Sequence, residues 1–100
     1  MKKAFTPWER QRAETHPDKA AYAAMTFAAK EAILKMISTG WRGQIAWTDM
    51  EILPDEQGQP IVTLTGETKK IADAMGIKKV LLSITHTDQY AAASAIGISQ

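Results

Sequence analysis

AAYAAMTFAAKEAILKMIS, residues 20–38, is the longest helical pattern in the chain. Asp18 stands before it, where the first turn of a helix favours an acidic side chain, and Gly40 follows it, where helices commonly end. We therefore predict one long helix from Ala20 to about Ser38. At about 100° per residue its apolar side chains form two nearly opposite stripes, the first with Ala20, Ala24, Phe27, Ala28 and Leu34 and the second with Met25, Ala29, Ala32, Ile33 and Met36. A helix with two apolar sides is usually buried centrally or shared with a partner subunit, so the pattern indicates oligomerisation.

A shorter helix is predicted upstream of this stretch. Thr6 can act as the N-cap, Pro7 suits the first helical position, and Glu9 completes a capping box. The helix should run to about Ala13, before the sequence His16-Pro17-Asp18 interrupts it. We interpret His16 as a capping or surface residue.

The remainder of the chain has the pattern of two hairpins separated by a helix. Gln44–Leu53 and Ile61–Thr65 are strand-like and flank a polar turn, and Val80–Thr85 and Tyr90–Ile98 form the second pair. Between the pairs, Thr65 can cap a helix over about Glu67–Met75, which Gly76 ends. The order of elements predicts a single α+β domain over residues 1–100, in which an antiparallel sheet packs with the long central helix.

The composition is that of a small globular domain. The chain has 100 residues with 45% hydrophobic and 23% charged residues, so it belongs neither to the disordered nor to the fibrous proteins. It contains no cysteine, which excludes disulfides and thiolate metal sites and fits a reducing compartment. No apolar run is long enough to cross a bilayer and no signal-peptide pattern opens the chain, so we expect a cytoplasmic protein without membrane contact. The three tryptophans are expected in the core or at an interface: Trp8, Trp41 and Trp47.

The charges are distributed unevenly along the chain. Residues 1–50 contain eight Lys or Arg against five Asp or Glu, whereas residues 51–100 contain four against six. The basic first half would suit an acidic partner or a polyphosphate ligand, although uneven surface charge alone explains it equally well. The formal net charge of +1 is too small to indicate binding of nucleic acid.

Glu31 is the first candidate for a catalytic or metal-binding residue. By helical angle it lies between Phe27 and Leu34, on an apolar stripe, and a buried carboxylate stays ionised only beside a cation, a metal ion or hydrogen-bond donors. Lys35 is four residues further along, at the spacing of an ion pair on one helix. The alternative is an ordinary surface ion pair worth roughly a few tenths of a kcal/mol, and the spacing alone favours this alternative.

His86 is the second candidate, because it follows an apolar strand and stands in a predicted turn, where scaffolds often present polar groups to ligands. An incidental turn histidine is the alternative. A serine hydrolase built from Ser83, His86 and Asp88 is disfavoured, because Ser83 and His86 are three residues apart on a strand and no nucleophile elbow is present. The chain also has no zinc pattern, phosphate-binding glycine loop or dinucleotide fingerprint.

Two segments read together resemble a known family. Phe27–Lys35, FAAKEAILK, is similar to the helix motif of the holo-acyl-carrier-protein synthases, which are 4'-phosphopantetheinyl transferases. Leu82–Thr87, LSITHT, followed by Tyr90–Ala93, resembles their C-terminal strand motif. Gly58-Gln59-Pro60 stands where the family has a Gly-basic-Pro turn, and the resemblance covers about residues 5–98.

The resemblance implies a transferase that moves the 4'-phosphopantetheine arm of coenzyme A to a serine of an acyl carrier protein. The family uses Mg²⁺ at the diphosphate of coenzyme A, and Glu31 matches its metal-ligating glutamate. The catalytic residues that the resemblance implies are Glu31, Lys35 and His86. The coenzyme A contacts that it implies are Lys30, Lys35, Gly58, Pro60, His86 and Thr87.

The same resemblance implies partners. The attacking serine comes from the carrier protein, so the chain needs no nucleophile of its own, and a divalent ion with nearby cations neutralises the diphosphate. Carrier proteins of this kind are acidic, which suits Arg10, Arg12 and Lys19. The family tends to form trimers, so we expect a homotrimer with ligands bound between subunits.

The chain departs from the family pattern in two places. The family begins with a strand carrying a Gly-x-Asp motif, whose aspartate is a second metal ligand, and we expect a domain that lacks this first strand because no such motif precedes Phe5. Asp49 and Glu51 have no feature that supports them as substitutes. The turn Gly58-Gln59-Pro60 lacks the usual basic residue. Two alternatives therefore stay open: a non-catalytic relative that binds coenzyme A or a carrier protein without transfer, and a structural oligomer without a ligand.

Overall fold

Helices and two strand pairs alternate along the chain. The structure, a computed structural model, describes residues 4–37, 46–87 and 91–99. In chain order the elements are α1 (Pro7–Thr15), α2 (Lys19–Ile37), a 3-10 turn (Trp47–Asp49), β1 (Met50–Pro54), β2 (Pro60–Leu64), α3 (Gly66–Ala74), β3 (Lys79–His86) and β4 (Ala91–Ile98). The predicted α+β class is confirmed. The predicted boundary residues Ser38, Gly40, Gln44 and Tyr90 lie outside the described residues, as do Trp41 and Asp88.

The strands form two antiparallel hairpins. β1 pairs with β2, with Met50 opposite Leu64, and β3 pairs with β4, with Lys79 opposite Ile98. Across residues 46–87 and 91–99 each hairpin is a separate two-stranded sheet, so the prediction of one antiparallel sheet is wrong in this respect. A groove of about 540 Å³ runs between β2 and β3. In a continuous sheet, backbone hydrogen bonds would join these two strands. A strand pattern locates strands, but the choice of neighbouring strand depends on tertiary packing.

The core lies between α2 and the strands. Ala29 and Ile33 of α2 pack with Met50 and Ile52 of β1, and all four side chains are buried. Half-buried residues of the other strands complete this cluster: Val62, Leu64, Val80, Leu82, Ile84, Ala93 and Ala95. Along most of β3 and β4 the inward residues alternate with exposed ones, as expected for a sheet with one face on the core.

Helix α1 begins as the sequence predicts. The Glu9 backbone N–H donates to the Thr6 hydroxyl oxygen at 3.2 Å, and the Thr6 N–H donates to the Glu9 carboxylate at 2.9 Å. This reciprocal pair is the predicted capping box. The helix runs further than predicted, to Thr15, and His16 then accepts a hydrogen bond from the Asp18 N–H at 3.0 Å. Trp8 is 64% exposed, so it does not belong to the core.

Helix α2 buries one stripe rather than two. The buried residues recur at helical spacing: Thr26, Ala29, Lys30, Ile33 and Ile37. On the first predicted stripe, Ala20 and Ala24 are exposed, whereas Phe27, Ala28 and Leu34 are half-buried. Of the two readings of this pattern, burial of α2 at the centre of the single chain is therefore wrong, because the strands cover one face of the helix and leave the first stripe half-buried or exposed. The other reading, a helix shared with a partner subunit, stays a prediction. Neither α2 nor another described helix has the length and apolar character that a bilayer crossing requires.

Helix α3 begins at a glycine that the packing requires. Gly66 has a φ of 61°, which L residues rarely adopt, and a Cβ there would lie 2.8 Å from both carboxylate oxygens of Asp49. Thr65, predicted to cap this helix with its side chain, instead donates its hydroxyl to the Asp49 carbonyl at 3.4 Å. The expected side-chain cap is therefore absent at this position, and the contact with Asp49 takes its place.

Gly66→Ala is expected to lower the free energy of unfolding by about 2 kcal/mol, since the added methyl group is strained at this φ and collides with Asp49. Urea unfolding followed by circular dichroism measures the change. Gly76→Ala is the matched control, because φ is 77° there as well but nothing lies within 4 Å of the added Cβ. An equal loss in both variants would contradict a role for the Asp49 contact.

Candidate functional site

Glu31 and Lys35 lie on the exposed side of α2, one turn apart. Residues four apart share a helix face, so both side chains project from the same side of the helix. The prediction that Glu31 sits on a buried apolar stripe is wrong for the single chain, because its side chain is exposed between the half-buried Phe27 and Leu34. An exposed carboxylate is accessible to an ion or a ligand that approaches from outside the chain.

Lys30 precedes Glu31 but points into the core, where its side chain is 0% exposed. Its Nζ donates to the Glu9 carboxylate at 2.7 Å, to the Ala4 carbonyl at 2.6 Å and to the Trp47 carbonyl at 3.1 Å. An ammonium group has three donors, and all of them are used inside the chain. The prediction that Lys30 contacts coenzyme A is therefore wrong for this structure, since no N–H of its ammonium group remains for a phosphate.

The Glu9 carboxylate joins α1 to α2 and to β1. Its Oε1 accepts hydrogen bonds from Lys30 Nζ and from the Thr6 N–H, and its Oε2 accepts one from the Ile52 N–H at 2.7 Å. The Thr6 hydroxyl in turn donates to the Glu51 carboxylate. The carboxylate thus covers the edge of β1 that faces away from β2, where a backbone donor would otherwise be unsatisfied.

Burial governs the protonation of Lys30. Removal of the ammonium group from water lowers the pKa of Lys30 from its ordinary value of 10.5, and the hydrogen bond and charge of Glu9 oppose the shift. Glu9, predicted only as part of the capping box, has a second role as the partner of Lys30. A signal was present, because Lys30 shares the helical spacing of Ala29 and Ile33 on the stripe that the core buries.

His86 and Thr87 lie at the end of the second hairpin's first strand. His86 is the last residue of β3, opposite Ala91, and not a turn residue as predicted. Its side chain and that of Thr87 are exposed. Because β3 packs against α2, His86 belongs to a strand beside the helix that carries Glu31 and Lys35.

Gly58 and Pro60 line a cavity of about 510 Å³ at the turn between β1 and β2. Arg12 and His16, near the end of α1, and Tyr22 of α2 form part of its wall. No sequence pattern associates these three residues with the turn, because they are distant from it along the chain. Glu31, Lys35 and His86 do not line this cavity. In the single chain, the residues predicted to contact coenzyme A therefore lie in separate regions.

The Tyr22 hydroxyl group is buried in the wall of this cavity. Burial raises the pKa of Tyr22 above its ordinary value of 10.0, and the neighbouring Thr26 side chain opposes the shift. Above about pH 10 the unfolded chain loses this proton while the native chain keeps it, so the contribution of Tyr22 lowers the stability as the pH rises.

We therefore expect an absorbance titration of tyrosinate to show one phenol that ionises at higher pH than a free tyrosine. Tyr22→Phe should remove this late ionisation and reduce the loss of stability above about pH 10. Thr26→Ala serves as a control that keeps the phenol. A late ionisation that persists in Tyr22→Phe would show that the buried phenol is not the one that titrates late.

In the described part of the chain, no three His, Asp or Glu side chains are grouped so that they could hold a metal ion. Asp49 lies against Gly66, and Glu51 accepts the Thr6 hydroxyl. Neither carboxylate therefore completes a preformed metal site with Glu31.

Comparison with known proteins identifies the family. The chain matches the family model of the 4'-phosphopantetheinyl transferase superfamily over residues 1–95. It is 40% identical over 98 residues to the holo-[acyl-carrier-protein] synthase of Caldanaerobacter subterraneus subsp. tengcongensis, which covers 98% of this chain and 76% of that relative. The holo-ACP-synthase structure from Plasmodium yoelii matches with a TM-score of 0.82 and 37% identity, covering 99% of this chain and 76% of that chain. The synthase of Helicobacter pylori, solved in complex with coenzyme A, matches with a TM-score of 0.79 and 26% identity, covering 97% of this chain and 79% of that one.

These matches extend nearly from end to end of the chain, as the resemblance over about residues 5–98 predicted. They confirm the predicted fold and the prediction that the protein is a transferase enzyme. The chain belongs to the 4'-phosphopantetheinyl transferase superfamily.

Proposed function

We propose that this chain is a holo-acyl-carrier-protein synthase, which transfers 4'-phosphopantetheine from coenzyme A to a serine of an apo acyl carrier protein. The serine hydroxyl oxygen bonds to the phosphorus that carries the pantetheine arm, and the bond from this phosphorus to adenosine 3',5'-bisphosphate breaks. The hydroxyl proton is released in the net reaction. The observation that carries the proposal is the 40% identity over 98 residues to a relative named for this activity.

Glu31 and Lys35 are the centre of the proposed site. Both side chains are exposed on one face of α2, where a charged ligand can reach them. Mg²⁺ is commonly held by one or two carboxylates and takes its remaining ligands from substrate phosphates and water. The exposed Glu31 carboxylate fits an ion bound in this way, and the ion would neutralise charge on the diphosphate of coenzyme A. Lys35 then supplies a cation for a phosphate oxygen.

The other proposed contacts to coenzyme A are His86, Thr87, Gly58 and Pro60. His86 is exposed at the end of β3, where its imidazole can donate to a phosphate oxygen. Gly58 and Pro60 line the cavity that also contains Arg12. Arg12 supplies a positive charge near this turn, whose middle residue, Gln59, is uncharged.

The acidic carrier protein is proposed to approach the basic part of the first half of the chain. Arg10 and Arg12 are exposed on α1, whereas Lys19 is paired with Glu14 at 3.0 Å. The two arginines are therefore the stronger candidates, because their charges are not already matched by an acidic neighbour in the described ion pairs. The lack of cysteine fits a reducing compartment, and we place the enzyme in the cytoplasm.

The proposed assembly is a homotrimer with sites between subunits. The described cavities contain neither Glu31 nor His86, which supports a site that a second copy completes. Leu81 and Ile96 face each other across β3 and β4 on the side away from α2, and they are 44% and 62% exposed. An exposed apolar patch of this kind favours contact with another protein surface.

Leu81→Lys is expected to dissociate the assembly into folded monomers and to reduce transfer, since a charge would be buried at the subunit contact. Sedimentation equilibrium measures the mass of the assembly and circular dichroism the fold. Met75→Lys is the matched control, because Met75 is 46% exposed at the C-cap of α3 and belongs to neither β3 nor β4. A wild-type protein that sediments as a monomer would refute the proposed trimer.

The activity itself is tested by incubating the purified chain with coenzyme A, Mg²⁺ and an apo acyl carrier protein. Mass spectrometry should show that the carrier gains one phosphopantetheine group, and a chelator should stop the reaction until Mg²⁺ is restored. Binding of coenzyme A without any transfer would instead favour a non-catalytic member of the family. Absence of both would leave a structural oligomer.

A further inference from the structure

Lys30 is an exception on the face that α2 buries. The other buried positions of this helix are occupied by Thr26, Ala29, Ile33 and Ile37, and Lys30 stands in the middle of them with a fully buried ammonium group. A buried charge is costly unless it is paired and hydrogen-bonded. An apolar side chain of similar length could fill the same space, so packing alone does not explain why a lysine occupies this position.

The partners of Lys30 come from parts of the chain that are far apart in sequence. Nζ binds the Ala4 carbonyl before α1, the Glu9 carboxylate in α1 and the Trp47 carbonyl at the start of the 3-10 turn. Glu9 extends this set to β1 through the Ile52 N–H. One side chain of α2 is thus tied to three other parts of the fold.

We propose that the Lys30–Glu9 ion pair fixes the rotation of α2 about its axis and thereby the direction in which Glu31 and Lys35 project. Lys30 and Glu9 are positioning residues in this inference, which rests on the proposed function for the use that is made of Glu31 and Lys35.

The composition of α2 explains why such a device is needed. Alanines occur on several faces of the helix, at buried, half-buried and exposed positions: Ala20, Ala24, Ala28, Ala29 and Ala32. The alanines offer little shape to interlock with neighbours, so apolar contact specifies the rotation of α2 mainly through Ile33 and Ile37. Hydrogen bonds with defined directions do not tolerate a small rotation. Since Glu31 follows Lys30 by about 100° around the helix, inward anchoring of Lys30 directs Glu31 outward.

The Phe27 and Trp47 rings report the rotation of α2 without any need for activity. Phe27 belongs to α2, Trp47 starts the 3-10 turn, and their ring centroids are 5.1 Å apart with 43° between the planes. Rotation of the helix would move Phe27 relative to Trp47. Because the Trp47 carbonyl is itself a partner of Lys30, a nuclear Overhauser effect between the two rings is read together with one between Ile33 of α2 and Met50 of β1, a pair to which Lys30 Nζ makes no hydrogen bond. Loss of both effects reports a rotated helix.

The experiment compares Lys30→Met with the double variant Glu9→Gln/Lys30→Met. The double variant leaves no unpaired buried charge, and its amide oxygen can still accept from the Thr6 or Ile52 N–H, so we expect it to regain much of the stability that Lys30→Met loses. We do not expect it to regain the Phe27–Trp47 effect or the Ile33–Met50 effect. Under the proposed function its kcat should stay lower by about a hundredfold, as a misplacement of about 1 Å can cause, and the Mg²⁺ concentration for half-maximal rate should rise.

The outcomes separate positioning from mere stabilisation. Recovery of stability, ring contact and kcat together in the double variant would overturn the inference, because Lys30 would then matter only for folding. Loss of both contacts in a stable double variant supports it.

If the wild-type chain shows no transfer, the proposed function fails, and the two contacts alone decide the inference. If Lys30→Met does not fold, Glu9→Gln replaces it in the comparison. Ala72→Gly, in a buried site of α3, controls for general destabilisation and should preserve both contacts.

Discussion

Replacing Glu31 by glutamine is expected to reduce kcat/KM for phosphopantetheine transfer by a factor on the order of 10² to 10³, as for the loss of one group that stabilises charge in a transition state. Under the proposed function this carboxylate binds Mg²⁺, and an uncharged amide of the same shape binds it less well. Because Glu31 is exposed, the substitution should change the free energy of unfolding by no more than about 0.5 kcal/mol. Initial rates of carrier modification, measured by mass spectrometry over a range of coenzyme A and Mg²⁺ concentrations, give the result.

Glu67→Gln is the matched control for this prediction, since Glu67 is an exposed glutamate in the first turn of α3. Its removal changes the net charge by the same amount and should leave the rate unchanged. Transfer by Glu31→Gln at the wild-type rate would remove Glu31 from the metal site. A similar loss in both variants would mean that the overall charge of the surface, rather than the position of Glu31, controls the rate.

Replacing Lys30 by methionine is expected to lower the free energy of unfolding by about 3–5 kcal/mol, the usual result of removing one partner of a buried ion pair. The Glu9 carboxylate would keep its bonds to the Thr6 and Ile52 N–H groups but lose the cation 2.7 Å away, and the carbonyls of Ala4 and Trp47 would lose their donor. Denaturant unfolding followed by circular dichroism measures the loss, provided that the slope against denaturant is unchanged.

Lys69→Met provides the comparison with an exposed pair. Lys69 and Asp73 are one turn apart on α3 at 3.1 Å, and their side chains are 58% and 59% exposed. Pairs of this kind contribute less than about 1 kcal/mol, because water solvates both charges when the pair is broken. Similar losses in Lys30→Met and Lys69→Met would contradict the view that burial makes the Lys30–Glu9 pair important.

Most positions of the helices and strands could be predicted because their signals are local, although Trp47–Asp49, predicted as part of a strand, forms a 3-10 turn. The capping box of Thr6 and Glu9 marks the start of α1, and the β-branched run from Ile61 to Thr63 marks β2. Glu31, Lys35 and His86 could be selected because a short motif around each is similar to a family with known chemistry. The organisation of the hairpins into two separate sheets was not predictable, since hydrophobic alternation is the same whichever strand lies alongside.

The prediction for α2 failed at the level of single side chains. Glu31 and Lys30 are adjacent, and a rotation of about 100° exchanges the buried and exposed directions. An assignment by apolar neighbours placed Glu31 inward with Phe27 and Leu34, whereas the chain buries Lys30 instead. The error arose because a lysine was counted as polar without regard to a carboxylate that could meet it inside.

The sequence by itself therefore determined the fold class, the order of the elements and the family, because helix caps, strand alternation and family motifs each depend on residues that are close together in the sequence. Only the tertiary structure decided which face of α2 is buried, that Lys30 meets Glu9 across 21 positions of the chain, and that Gly58 and Pro60 share a cavity with Arg12. The physical reason is that these features depend on which distant groups satisfy one another's charges and hydrogen bonds, and a local pattern carries no record of that choice.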